Sequence, residues 1–549
     1  MDKDKIPKEL PKFEKPVLFL ADTDATQAYV LESSKLPEVR GASRLLDALN
    51  LKVGDLIEEA GGHLIFAGGG GVLALAEQDA APNLVQTVEE MYPAKTGIAT
   101  VSATYRPLPA NWQEQKFGDL VSWANHSLRR HKESKTPPPF FERMPFQAVC
   151  ESCHVRPVDT HFLRGDAPQM LCQPCRVKWE NGRKYDETWR DSSWYGRFFQ
   201  WLEEHPGTKY KVSPAIEIPL TVDEIGRASK TREGYIGLLY LDGDSIGQLL
   251  SSLKEIDDYQ ALSHLLTDTT ENVVFQTLAE ALSPQKVKAS ELRAELDNRF
   301  GKDEEVVVHP FEIITIGGDD VLLIVPGDVA IPIAQNIGSR FSLQITPQVK
   351  HLLPVGQEAI TMSAGVVIAD DHTPLAMLVE LATDLLKKGA KTAGGALDFH
   401  VLKSVDMVDK NIGHVRKQYP YYLKNAVKGQ RGDLKLLARP YRYDQIEQLW
   451  EGLKILKTNK FASSQMQLLA KSLLDGRRQS TLFYHYQHQR HQGDKKAYEA
   501  LEALLLSLYG DSARDPLPWR VVEGEEYSFQ TALWDIAELF DFAPAKEAS

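Results

Sequence analysis

Phe311-Glu-Ile-Ile-Thr-Ile-Gly-Gly-Asp-Asp-Val-Leu-Leu-Ile-Val325 is the stretch on which the reading of the chain turns. Two apolar β-type runs, Phe311–Ile316 and Val321–Val325, flank Gly317-Gly318-Asp319-Asp320. Turn formers between such runs signal a hairpin. Adjacent carboxylates at its tip repel each other, and a divalent cation relieves that repulsion. A solvated acidic turn is the plainer alternative. Upstream, Tyr235-Ile-Gly-Leu-Leu-Tyr-Leu-Asp-Gly-Asp-Ser-Ile-Gly247 reads as an apolar strand ending in Asp242 and Asp244, with a helix after it. Laid beside the hairpin, this strand brings Asp242 to Asp319 or Asp320. Oxygen ligands of this kind suit Mg²⁺ or Mn²⁺. Two such ions activate an attacking hydroxyl and stabilise a leaving pyrophosphate. Gly317 and Gly318 lack side chains and would let a triphosphate approach the backbone.

The same order of elements occurs earlier in the chain. Strand Pro16–Asp24 ends in Asp22 and Asp24, and a helical stretch follows. A hairpin with the tip Gly68-Gly69-Gly70-Gly71 comes next, then a helix near 83–92 and a strand at 97–104. In the later copy, strand 235–242 precedes helical sequence from 245 to 282. The acidic hairpin follows, then a helix near 329–343 and a strand at 359–369. Val101-Ser-Ala103 sits opposite Met362-Ser-Ala364. Strand-helix-strand-strand-helix-strand is the ferredoxin-like module. The fold class expected is therefore α+β with two ferredoxin-like domains. The first keeps Asp22 and Asp24 but has no hairpin carboxylates, so it reads as a structural or substrate-receiving partner. No Gly-Lys-Ser/Thr follows its glycines, which argues against a separate phosphate loop.

Between the copies, Cys150-x-x-Cys153 and Cys172-x-x-Cys175 are separated by 18 residues. Two knuckles at this spacing match a four-thiolate structural Zn²⁺ ribbon. Lys135-Thr-Pro-Pro-Pro139 before them is a stiff linker. Arg129-Arg130-His131-Lys132 is a basic cluster, either a solvated helix end or an RNA contact. Aromatic-rich 189–204 reads as a helix under the ribbon.

Beyond the second copy, Leu375, Leu378, Leu381, Ala382, Leu385 and Leu386 have helical spacing, with Lys387, Lys388 and Lys391 at the C-terminal end. These cations complement the helix dipole or neutralise a triphosphate, Lys387 and Lys391 being favoured for the latter. Ser363 is either a base or ribose contact or a buried strand serine. From 412 onward the pattern is helical and reads as a bundle. His485, His488 and His491 lie on one polar helix face without interleaved carboxylates. The domain division expected is 1–130, 131–225, 226–410 and 411–549.

The chain has 549 residues, a net charge of −13 and four cysteines. The acidity argues against unaided gripping of long nucleic acid, and four cysteines are too few for a disulfide scaffold. No apolar run suits a membrane span, and no secretory signal is evident, so a cytoplasmic location is expected.

Paired palm domains, Gly317-Gly-Asp-Asp320 in the second only, a four-cysteine insert and a helical C-terminal part resemble the large palm-domain subunit of type III CRISPR effector complexes. The most specific pieces are Leu241–Gly247, Gly317–Asp320 and Ser363–Ile368 with the Lys-ended helix. Arg439-Pro-Tyr-Arg442 and 531–540 resemble its C-terminal domain more loosely. The resemblance implies Mg²⁺- or Mn²⁺-dependent conversion of ATP to cyclic oligoadenylate or a related messenger when guide-bound target RNA is present. Asp242, Asp319 and Asp320 would hold two metal ions, and Gly243, Asp244, Gly317, Gly318, Ser363, Lys387 and Lys391 would surround ATP. The partners expected are other type III subunits, which hold most of the guide and target RNA. Many members carry a His-Asp nuclease domain, and this sequence has no His-Asp dipeptide. The expectation is therefore no built-in DNA cleavage. A stand-alone nucleotide cyclase, homodimeric in that case, and an inert scaffold are the alternatives. A diguanylate-type cyclase fits less well, because Val321 follows Asp320.

Overall fold

The computed structural model describes residues 10–135, 144–164, 167–183, 192–211, 216–288, 305–402, 412–417, 421–424, 433–490, 495–510, 516–522 and 528–546. Pro137–Pro139 of the expected linker, the start of the expected 189–204 helix and His491 lie outside the described residues.

The first palm contains strand Pro16–Thr23 (β1), helix Leu36–Glu59 (α1), strands His63–Gly68 (β2) and Gly71–Glu77 (β3), helix Ala81–Thr96 (α2) and strand Val101–Pro107 (β4). Its antiparallel sheet has the order β2-β3-β1-β4. Helix Phe117–Ser134 (α3) follows. In the second palm, Tyr235–Gly243 (β5) leads to helix Ile256–Ala281 (α4). Then come Glu312–Gly317 (β6), Asp320–Pro326 (β7), helix Ala330–Val349 (α5) and Met362–Asp370 (β8). The strand order repeats as β6-β7-β5-β8. After helix Leu375–Leu385 (α6), strands Ala396–Val401 (β9) and Tyr441–Arg442 (β10) extend this sheet to six.

Alternation along the strands explains the layers, because successive side chains point to opposite faces. Val17, Phe19 and Ala21 of β1 face a core with α1 and α2, while Leu18 and Leu20 face α3. The first of these cores runs on into Ile236, Leu238 and Tyr240 of β5, Ile314 and Leu322. The two palms thus share one apolar interior. The sharing is reciprocal: α1 touches β6 of the second palm and α4 touches β2 of the first. Arg40 of α1 reaches Glu312 of β6, donating from Nε to Oε1 at 3.0 Å and from Nη2 to Pro219 O at 2.8 Å. Glu312 is fully buried.

Each hairpin has a β-bulge at the same distance from its tip, at Ile65 in one and Ile314 in the other. The tips abut. A Cβ on Gly317 would stand 2.7 Å from Gly69 Cα, so neither position accommodates a side chain without movement.

The C-terminal part departs from the expected all-helical bundle. Helices Tyr443–Thr458, Ser463–Ser472, Arg477–Arg490 and Lys495–Tyr509 are present. Beside them is a four-stranded sheet of Tyr422–Lys424, Asp433–Lys435, Phe529–Gln530 and Arg520–Val521. Strands of two or three residues are too short to leave an alternating pattern. A three-stranded sheet of Ile216–Glu217, Glu305–Val308 and Gln285–Lys288, strands of two to four residues, is also absent from the expected elements. The two C-terminal segments that carried the looser resemblance pair with each other: buried Arg439 binds Asp535 at 2.8 Å and also Glu538. Among the described residues, no helix is long and apolar enough to cross a membrane.

Replacing Glu312 by Ala would leave the Arg40 guanidinium buried without its carboxylate. The expected loss is about 3–5 kcal/mol, because an uncompensated buried charge is costly. A lowered denaturant midpoint checks it.

Candidate active site at the second hairpin tip

Strand β5 delivers Asp242 between two neighbours. On one side it pairs with Ser363 of β8. On the other, Leu241 pairs with Val321, which places Asp242 alongside Asp320 one step beyond. Gly317 pairs with Asp320, so the loop itself is two residues, Gly318 and Asp319. Gly318 has φ 66° and no neighbour within 4 Å of where a Cβ would be. Its open face and left-handed conformation suit glycine. The Asp319 carboxylate folds onto Gly243, where a Cβ would lie 2.6 Å from Oδ2. This contact is why glycine separates Asp242 from Asp244.

Burial pushes the Asp319 carboxyl up to about 7, and the neighbouring Asp320 adds to the rise. Burial likewise raises Asp320 to about 6, opposed by the Lys387 ammonium. Asp320 Oδ1 is buried with no hydrogen-bond partner. Asp242 pairs with Lys391, whose Nζ also donates to Gly243 O at 3.1 Å. Burial lowers the Lys391 pKa. Lys387 lies in the turn after α6, Leu386–Ala390, which is wound as a π-helix, and Lys391 opens the short helix Lys391–Ala393 that follows it. Such wider turns re-aim side chains and concentrate at functional sites. Lys388 points elsewhere, to Asp384 at 2.7 Å.

Three of the residues expected around ATP make other contacts. Asp244 was expected at the ligand, but its carboxylate accepts from Thr361 Oγ1 at 2.7 Å, Ser363 Oγ at 2.7 Å and Gly395 N at 2.8 Å. It is a staple joining β5, β8 and the approach to β9. Ser363 is fully buried and donates to that staple, as the buried strand serine of the two readings would. Gly317 turns its bare Cα toward Gly69, not toward open space. Gly318, Asp319, Asp320, Asp242, Lys387 and Lys391 do assemble at one end of the sheet.

The first palm repeats the staple. Asp24 accepts from Thr100 Oγ1 and Ser102 Oγ, both at 2.9 Å. Thr-x-Ser thus occurs in both copies, at 100–102 and 361–363, and is the sequence signal that points to Thr361. Asp22 pairs with Lys132 at 2.5 Å, and Lys135 binds Glu89 at 2.9 Å. His131 also binds Glu89, at 2.9 Å, whereas Arg129 and Arg130 are exposed. Half of the expected basic cluster therefore neutralises first-palm carboxylates.

The acidic tip meets the chemical requirements of a hard cation: paired carboxyls reluctant to ionise side by side and an oxygen without a partner. Among the described residues, the donor groups that already lie within 4.8 Å of one another are Cys150-Cys153-Cys172-Cys175 and Asp370-Asp371-His372. The acidic trio is not among them while Lys391 engages Asp242. The cysteines fit Zn²⁺ closely. Tetrahedral Zn–S bonds of about 2.3 Å imply S–S edges of about 3.8 Å, and Cys153 Sγ lies 3.9 Å from Cys172 Sγ. All four cysteines are buried and free of disulfides.

The family model described as Cas10/Cmr2, second palm domain, matches residues 235–397, the interval that holds this tip. Residues 235–397 form a palm domain of the Cas10/Cmr2 kind. The chain is similar to "CRISPR system Cmr subunit Cmr2" of Pyrococcus furiosus, 30% identical over 175 residues, which is 31% of this chain and 18% of that protein. The chain thus aligns with under a fifth of that relative. The fold matches the Csm1-Csm4 cassette in complex with cA3 at a TM-score of 0.53 and 12% identity, covering 98% of this chain and 71% of that one. It matches the same cassette in complex with one ATP at 0.51 and 14%, covering 97% and 70%.

The two raised carboxyls fix a pH dependence. Below about pH 7 an incoming cation must displace a proton from Asp319, and below about 6 another from Asp320. Mn²⁺ affinity is therefore expected to rise about tenfold or more from pH 6 to pH 8, with proton release at the acid end. Calorimetric titration in buffers of differing ionisation enthalpy measures both.

Proposed function

We propose that this chain joins ATP into cyclic oligoadenylate, or a related nucleotide messenger, at the tip of the second palm's hairpin. The observation that carries the reading is the unpartnered buried Oδ1 of Asp320, beside a second raised carboxyl and one strand away from Asp242. A structural acidic turn would either be solvated or be paired internally, as the first palm's acids are. Mg²⁺ or Mn²⁺, two per site and held by Asp242, Asp319 and Asp320, would supply activation of the attacking ribose hydroxyl and charge neutralisation on the pyrophosphate. The protein's own contributions are separate. Gly318 leaves space beside the acids for a triphosphate. Lys387 in the π-turn and Lys391 just after it offer positive charge, with Lys391 leaving Asp242 as phosphate arrives. Asp244, Ser363 and Thr361 hold β5 and β8 in register so that Asp242 keeps its position. The likeness to Csm1 cassettes solved with cA3 and with ATP supports the same class of reaction.

The chain would work within a type III effector, activated by target RNA, with other subunits holding most of the guide and target. Its net charge of −13 agrees with that division of labour. Cys150, Cys153, Cys172 and Cys175 would hold one structural Zn²⁺.

The test is mass spectrometry of products from purified protein with Mn²⁺ or Mg²⁺ and each nucleoside triphosphate, with and without copurifying RNA. ATP is expected to yield pyrophosphate and oligoadenylate. The double change Asp319→Ala, Asp320→Ala should lower the yield on the order of a hundredfold or more, since preorganised charge stabilisation is lost. An unchanged product profile in the double variant would overturn the site assignment. Absence of product from the parent under every condition would favour the scaffold reading.

A further inference from the structure

The cysteine knuckles do not stand apart from the palms. Helix Gln173–Arg183, which begins between Cys172 and Cys175, crosses α1 with its backbone in contact. A Cβ on Gly41 would lie 1.7 Å from Lys178 O, and one on Gly182 would lie 1.7 Å from Pro37 O. Arg156, 3% exposed, follows the first knuckle. Its Nη1 donates to Cys172 Sγ at 3.6 Å and to Cys153 Sγ at 3.8 Å. Its Nη2 binds Glu32 Oε1. The other carboxylate oxygen of Glu32 accepts from Lys178 Nζ at 3.0 Å, and the same ammonium donates to Tyr29 O at 2.6 Å. Lys178 is fully buried.

Tyr29 and Glu32 belong to a short segment, helix Thr26–Val30 and the residues after it. The segment leaves the first palm at Asp24. Its other end supports the first hairpin tip. Thr23 N and Thr23 Oγ1 donate to Gly70 O at 2.8 and 3.1 Å, and Thr26 Oγ1 lies beside Gly70. The adjoining Gly69 is the residue that touches Gly317. A chain of polar contacts, buried at the sulfur end and partly exposed at Glu32, together with packed backbone, therefore runs from the four sulfurs to the acidic hairpin.

We propose that the four-cysteine site positions the first hairpin tip, with Arg156 as the positioning residue that couples the sulfurs to Glu32. When a thiophilic divalent cation holds the sulfurs as thiolates, the guanidinium bridges two anions, the sulfur cluster and Glu32. Without the cation the four sulfurs are no longer held at one centre, so the sulfur end of that bridge loses its fixed position. The Thr23–Glu32 segment then keeps Lys178 but loses the second of its two anchors. That this movement reaches chemistry rests on the active-site reading above; the linkage itself does not.

The experiment uses the full chain loaded with Co²⁺ at the cysteines, in parent, Arg156→Gln and Glu32→Gln forms, followed by electronic absorption and amide hydrogen exchange. Arg156→Gln is expected to keep one Co²⁺ per chain. It should move the sulfur-to-cobalt charge-transfer band to lower energy, since the sulfurs lose two N–H donors. Exchange over 23–32 and 69–71 should quicken on the order of tenfold or more. Glu32→Gln should quicken exchange in the same segments with the band unmoved. Removing the metal should quicken them in the parent but add little in Glu32→Gln, the non-additivity expected of one coupled unit. The proposal is overturned if exchange over 23–32 is unchanged in Glu32→Gln, or if metal removal and Glu32→Gln act additively. Should Arg156→Gln fail to fold, the Glu32→Gln and metal-removal arms decide it alone. Activity is a separate readout: altered exchange with unaltered turnover would leave the linkage standing and remove only its catalytic consequence.

Discussion

Where Gly69 meets Gly317, two main chains approach so closely that a methyl group on either would collide with the other. That approach fixes where the acidic tip sits relative to the first palm. It is possible because the surrounding surfaces are complementary on both sides: α1 packs on β6, α4 packs on β2, and one apolar interior runs between the sheets. Arg40 and Glu312 add a directional constraint inside that interior. A buried ion pair of this kind contributes more to register than to net stability. The two domains thus behave as halves of one body related by an approximate two-fold, with the candidate chemistry at the place where the halves touch.

Within that symmetry the two strand ends diverge by charge. Each palm presents an Asp-x-Asp, and in each the second Asp staples the strand to a Thr-x-Ser on its neighbour. In the first palm, Asp22 and Glu89 are satisfied by Lys132, Lys135 and His131. In the second, burial raises both Asp319 and Asp320, and only the Lys387 ammonium opposes the rise at Asp320. One copy is electrostatically closed; the other is short of positive charge. That contrast, rather than backbone geometry, separates a domain that supports from a domain suited to bind metal and phosphate.

Much of this was legible in the sequence. Both βαββαβ units, the acidic hairpin and the cysteine knuckles carry strong local signals: apolar alternation, turn glycines and fixed spacing. The role of Asp244 was not legible, because Asp-Gly-Asp looks the same whether its second carboxylate faces a ligand or a strand serine. Register decides that, and register is non-local. Gly317 is a similar case: glycine signals a close approach, but not of what. The short strands near the C-terminus left no periodicity, and the pairing of Arg439 with Asp535 and Glu538 joins residues far apart in the chain. Lys391 was placed correctly at the tip, although its contact with Asp242 depends on a π-turn that no local pattern announces.

The paired bulges have a consequence for how such a chain can vary. Ile65 and Ile314 each insert one extra residue three positions before Gly68 and Gly317, and both are buried. Side chains alternate faces, so losing or gaining one residue between bulge and tip would turn everything beyond it over. In the second copy that would aim the acids into the interior. In the first it would point a glycine tip away from its twin. The spacing is therefore locked in both halves, even in the one that has no acids left to aim, and length changes in these hairpins should be tolerated only on the far side of the bulge.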